Sequence, residues 1–205
     1  IDHLAVDAGA LEAGLADALA RSGDCTAAAV LADGLLAADG AHRGAAVRIA
    51  ASVAAHDGNT GHAADLFDWL VADGTAPVPA PETSAAGVVV LIGAGQPGPA
   101  RELAASTSAG PPTSTARAVR SLADGLLMTL DQPYSTAAAR LGQALGPAAA
   151  TDLAMPDSAA ALTTLAALHA GDAVRARAVI GRAVELGDDD PVFGPRHRLL
   201  RAWMR

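Results

Sequence analysis

The only segment with the spacing of a phosphate cradle is Ala85-Ala-Gly-Val-Val-Val-Leu-Ile-Gly93-Ala-Gly95-Gln-Pro-Gly98. A buried strand running into G-x-G-x-x-G brings backbone close to a pyrophosphate at a helix N-terminus. The context argues against that chemistry. About 20 residues on, where an acidic residue should meet the ribose, the chain reads Gly110-Pro-Pro-Thr-Ser-Thr. The glycines are therefore read as a turn, with the dinucleotide reading kept as the weaker alternative. Asp188, Asp189 and Asp190 precede Pro191 and read as a solvated break between helices rather than a metal site. The six histidines (His3, His42, His56, His62, His169 and His197) offer no H-x-x-x-H pair on one helix face and read as surface or helix-end residues. Cys25 is the sole cysteine, which excludes an internal disulfide and a Cys-based zinc site. It reads as a small buried hydrophobe at the start of a helix. There is no G-x-S-x-G and no Walker A sequence. No catalytic group, cofactor or metal is expected, and the chain is read as a non-enzyme.

The elements that must carry any site are set by a repeat. A short turn recurs at Gly23-Asp24, Gly58-Asn59, Gly95-Gln96, Asp131-Gln132 and Gly171-Asp172, at intervals of 35 to 40 residues. About five residues after each turn an Ala opens an apolar ladder: Ala28, Ala63, Ala100, Ala137 and Ala176. Apolar or small residues follow at helical spacing, as in Ala63/Phe67/Leu70 and Ala176/Ile180/Ala183. The pattern predicts helices over 3–22 and 25–38, 41–56 and 60–73, 82–93 and 98–107. It continues with 113–130 and 134–145, 157–170 and 173–186, and a last helix over 196–205. Pro77, Pro79, Pro81, Pro111, Pro112, Pro147, Pro156, Pro191 and Pro195 break the connections. The expected fold is all-α: five helical hairpins and the first half of a sixth.

This arrangement resembles the tetratricopeptide (TPR) family of helical repeats. Gly125 followed by Ala137, Leu141 and Ala144 matches its pattern. The family's early Trp is Ser121 here, its Tyr is Met128 and its closing Pro is Ala149. The resemblance implies a TPR-like right-handed α-solenoid of antiparallel helix pairs over 1–205, with an extended concave face.

Composition narrows the partners. Ala, the best helix former, supplies about a quarter of the 205 residues; 51% are hydrophobic and only 2% aromatic. Fourteen basic residues, all Arg, face 22 acidic ones for a net charge of −8, so direct nucleic-acid binding is not expected. The apolar centre 85–94 is too short to cross a bilayer, and the reading is a fragment of a longer cytoplasmic protein without a membrane segment.

The Arg-only, Ala- and Asp-rich usage resembles that of high-GC actinobacterial proteins. Leu122-Ala-Asp-Gly-Leu-Leu-Met-Thr-Leu-Asp131, Leu165-Ala-Ala-Leu-His-Ala-Gly-Asp172 and Arg196-His-Arg-Leu-Leu-Arg-Ala-Trp203 resemble the helical sensor region of large LuxR/MalT-type transcriptional regulators. That resemblance implies an inducer-sensing module between an ATPase and a helix-turn-helix domain of the same parent chain. It also implies a small-molecule inducer, with a carbohydrate the leading candidate. Arg48, Ser52, Thr129 and Trp203 fall in the phase of groove-lining first-helix residues, with Tyr134 and Trp69 at helix ends. An aromatic face beside Arg, Ser and Thr donors suits a sugar. The competing expectation is a protein–protein scaffold whose groove holds a peptide or a partner helix.

Overall fold

The computed structural model describes residues 7–38, 40–73, 78–108, 110, 113–146, 153–187 and 189–204. Its regular structure, among the described residues, is helix alone. In chain order the elements are α1 (Ala8–Ser22), α2 (Cys25–Ala37), α3 (Arg43–His56), α4 (Thr60–Ala72), α5 (Pro81–Gly93) and α6 (Pro97–Ala105). There follow α7 (Ser114–Met128), α8 (Tyr134–Gln143), α9 (Ala159–His169), α10 (Ala173–Leu186) and α11 (Gly194–Trp203). Each matches one predicted helix, and every boundary inside the described residues shifts by two residues or fewer. The predicted start at 3–6, and Pro77, Pro111, Pro112, Pro147, Ala149 and Asp188, lie outside the described residues.

The recurring turn works because two consecutive residues end one helix and start the next. Gly23, Gly58, Gly95 and Gly171 sit in the left-handed region at φ 76 to 87°, where a Cβ is disfavoured. The following amide reaches back to close the helix: Asp24 N–H to Leu19 O at 2.9 Å, and 2.8 Å for Asn59 to Ala54, Gln96 to Leu91 and Asp172 to Ala167. Asp24, Asn59 and Asp172 then cap the next helix through their side chains, accepting from the amides of Ala27, His62 and Arg175. Asp131-Gln132 is the exception. With no glycine there, Pro133 precedes α8 instead.

The five ladder alanines are fully buried. Small side chains at these positions let helices approach closely, and Gly125 extends the rule. A Cβ there would lie 2.8 Å from Leu141 Cγ and 3.0 Å from the Leu141 backbone nitrogen. The odd-numbered helices pack in a row, α1 on α3, α3 on α5 and α5 on α7, each also against the helix that follows it. From α7 and α8 the packing passes through α8 to α9, and α9 packs on α10 and α11.

The stretch 85–92, which alone resembled a strand, lies in α5. Pro81 and every residue from Thr83 to Leu91 are buried, so the segment is apolar on all sides because α3, α4, α6 and α7 surround it. A continuous apolar run is what a helix enclosed on every side needs, as does a buried strand. Phe67 anchors the largest apolar cluster together with Leu91, Leu103, Leu141 and Met155. No helix among the described residues is long and apolar enough to cross a membrane.

Candidate functional site

Between α8 and α9, residues 153–158 form a strap that crosses to the far end of the chain. Ala154, Met155, Pro156 and Asp157 are buried. The strap is tied first to α1 and α3. Asp17, 5% exposed, and Arg48, 3% exposed, form a bidentate ion pair with both N···O distances 2.7 Å. Ala154 closes the arrangement: its N–H donates to Asp17 Oδ1 at 2.8 Å and its carbonyl accepts from Arg48 Nη1 at 2.8 Å. Ser52, one turn after Arg48, donates its hydroxyl to the Arg48 carbonyl at 2.7 Å. Two buried charges and one buried peptide group thus satisfy one another.

The second tie is aromatic. His56, the last residue of α3, lies 2.9 Å through Nε2 from the Met155 carbonyl. A carbonyl only accepts, so Nε2 carries the proton. The His56 ring meets Phe193 edge-on at 5.6 Å, and Phe193 stacks on His197 at 6.3 Å. His197 Nε2 is 2.6 Å from Ser158 Oγ, which also accepts the Ala161 N–H and so caps α9. Asp157 accepts from Arg196 at 2.6 Å and from the Ser158 N–H at 2.9 Å. Burial holds both imidazoles below the usual histidine range, outweighing the nearby carboxylates: Asp157 and Asp57 for His56, Asp190 and Asp157 for His197. In each ring Nδ1 is buried and has no hydrogen-bond partner among the described residues.

Beside this cluster opens a cleft of about 600 Å³. Its apolar lining includes Val119 and Leu122 of α7, Met155 of the strap, Leu186 of α10 and Phe193. Its polar lining includes Arg21, Arg182, Asp157, Ser158, Asp190 and His197. Met155 and Phe193 also border a smaller cavity of about 190 Å³ with His56 and Ala20. A cleft of the larger size, mostly apolar with a few convergent polar groups, is the usual form of a small-molecule site. No group of three or more metal-ligating side chains is present among the described residues.

The six residues expected to line one groove do not share it. Arg48 and Ser52 face inward as their helical phase requires, but the chain's own Asp17 and Ala154 occupy the space before them. Thr129 is the C-cap of α7, exposed, donating to the Leu126 carbonyl at 2.6 Å. Helical phase ends at that cap. Trp203 is 72% exposed at the end of α11. Trp69 is 44% exposed with the Arg43 guanidinium 5.4 Å from its ring centroid. Tyr134 opens α8, and burial followed by the Asp172 charge raises its phenol above the usual value. None of the six borders the two cavities described above.

His197, only 6% exposed, corrects the surface reading of the histidines. Cys25 is half-buried, and burial raises its thiol. The sequence reading leaves out Asp17, Ser158 and Phe193 and gives His56 and His197 no partner, because the groups that engage them across the fold lie 31 to 137 residues away. The one local signal was Ser158, a helix-capping residue just after Pro156. Comparison with protein-family models, curated proteins and solved structures finds no match to the chain.

Proposed function

We propose that this chain is the ligand-sensing region of a larger transcriptional regulator, holding a small molecule in the cleft bordered by α7, α10, α11 and the strap. The carrying observation is the cleft itself: about 600 Å³, apolar in the main, and bordered by a buried His197 with one ring nitrogen unpartnered. The finer architecture belongs to the same reading, a TPR-like right-handed α-solenoid of about five and a half hairpins. Its support is the repeated glycine turn, the buried alanine ladder and the row of odd-numbered helices. The regulator context rests on the resemblance of the three phrases quoted above, and flanking ATPase and helix-turn-helix domains are part of it.

The test is a titration with a panel of oligosaccharides and amphiphiles, following Trp fluorescence and melting temperature. Saturable binding raises stability by about 2.7 kcal/mol at a hundredfold excess over Kd. Ala160, half-buried on the cleft wall, changed to Trp should abolish that rise. The second reading, a protein scaffold, is favoured by the exposed apolar residues Val174, Leu186, Leu199 and Trp203 on α10 and α11. It prevails if no small molecule shifts either signal while a partner-domain peptide does.

A further inference from the structure

We infer that the cleft takes an amphipathic anion, an apolar body of medium length ending in one carboxylate-like headgroup. This rests on the small-molecule reading of the same cleft and names the ligand's chemistry. The apolar body follows from the wall: Val119, Leu122, Met155, Leu186 and Phe193 offer methyl groups, a thioether and a ring face, with few donors to satisfy a ring of hydroxyls. The charge follows from what is already answered. Asp157 is held by Arg196 and the Ser158 amide, and Asp190 Oδ1 accepts the Val192 and Phe193 amides at 2.9 and 2.8 Å. Both carboxylates on the wall are thus engaged by the protein. Arg182 also borders the cleft, is exposed, and has no hydrogen bond or ion pair with any described residue. Among the described residues on this wall, the charge without a partner is that of Arg182.

His197 lines the same cleft beside Ser158. Ser158 Oγ accepts the Ala161 N–H and shares a 2.6 Å hydrogen bond with His197 Nε2, whose direction follows the ring tautomer. His197 Nδ1 is buried and has no hydrogen-bond partner among the described residues. The Arg182 guanidinium on the same wall stabilises the headgroup's charge. An ammonium headgroup would meet the Arg182 guanidinium and two carboxylates already engaged by the protein.

The experiment is calorimetric titration of the 205-residue chain with decanoate, octanol, decyltrimethylammonium and maltotriose, each below its aggregation concentration. Decanoate should bind once per chain, at least tenfold more tightly than octanol or the cation. Arg182→Gln should weaken decanoate five- to tenfold and leave octanol unchanged. Ala160→Trp should abolish decanoate binding. Octanol or maltotriose binding as tightly as decanoate, or an Arg182→Gln variant without effect, overturns the anion and leaves the cleft standing. Binding by none of the four probes, with the oligosaccharide panel also silent, overturns the small-molecule reading itself.

Discussion

Replacing Arg48 with Met should cost far more than its size change suggests. The methionine keeps most of the buried stem but removes the cation, leaving the Asp17 carboxylate, 5% exposed, with the Ala154 amide as its remaining donor within the tie. Breaking a buried pair by removing one partner typically costs about 3–5 kcal/mol. For a chain of this size each kcal/mol moves Tm by about 2–4 °C, so the variant should melt roughly 10 °C lower. Arg101 and Asp131 provide the internal control: their pair is 3.4 Å apart with side chains 47% and 55% exposed, and such pairs contribute about 0–1 kcal/mol. Arg101→Met should therefore move Tm by less than about 4 °C. The double variant Asp17→Leu/Arg48→Met removes both charges and leaves only the Ala154 peptide groups unsatisfied, so it should melt above Arg48→Met. Thermal melts followed by circular dichroism report all three, and hydrogen exchange at the Ala154 amide reports release of the strap. An Arg48→Met variant no less stable than Arg101→Met would refute the account of the tie.

Gly34 and Gly181 lie in α2 and α10 with open space where a Cβ would stand, so Ala at either should stabilise by about 0.5–1 kcal/mol. Gly125→Ala should destabilise by about 1–3 kcal/mol, because the Leu141 backbone cannot move aside; urea midpoints for the three variants check the sign. Acid should also weaken the fold. His56 and His197 have folded-state values below the unfolded one, so the unfolded chain binds more protons as pH falls below about 6.5 and stability drops through that window. Urea midpoints at pH 7.5 and 5 should differ, and His56→Gln/His197→Gln should flatten the difference; equal wild-type midpoints would contradict it.

The helices were legible because their punctuation is local. Gly23-Asp24 and its counterparts at 58 and 171 contain both the left-handed residue that ends one helix and the cap that begins the next. Nothing distant is needed to read them. The ladder alanines were legible for a related reason: a small residue recurring at one phase marks the line of closest helix approach, and all five are buried. Segment 85–92 was ambiguous because its environment is the same on every side, and a period cannot be read from a run without a polar face.

Arg48 shows where sequence reasoning about the site stops. Its phase assigns it to a groove-lining position on α3, and the structure buries it against the chain's own groups; phase states a direction and leaves the partner open. An inward arginine requires an acceptor, and the reading supplied an external ligand where the chain supplies Asp17 and the Ala154 carbonyl. Those partners are 31 and 106 residues away, and no periodic signal spans the second distance because the strap belongs to no repeat. Its burial comes from Ala154 and Met155 joining apolar clusters built by other helices, a property of the assembled fold. The same logic explains His197. Six histidines without metal spacing read as surface or helix-end residues, and His197, in the first turn of α11, is buried as well because Phe193 stacks on its ring and Ser158 reaches it from the far end of the strap. Polar residues whose partners come from an irregular connection are those whose partners a repeat-based reading does not supply.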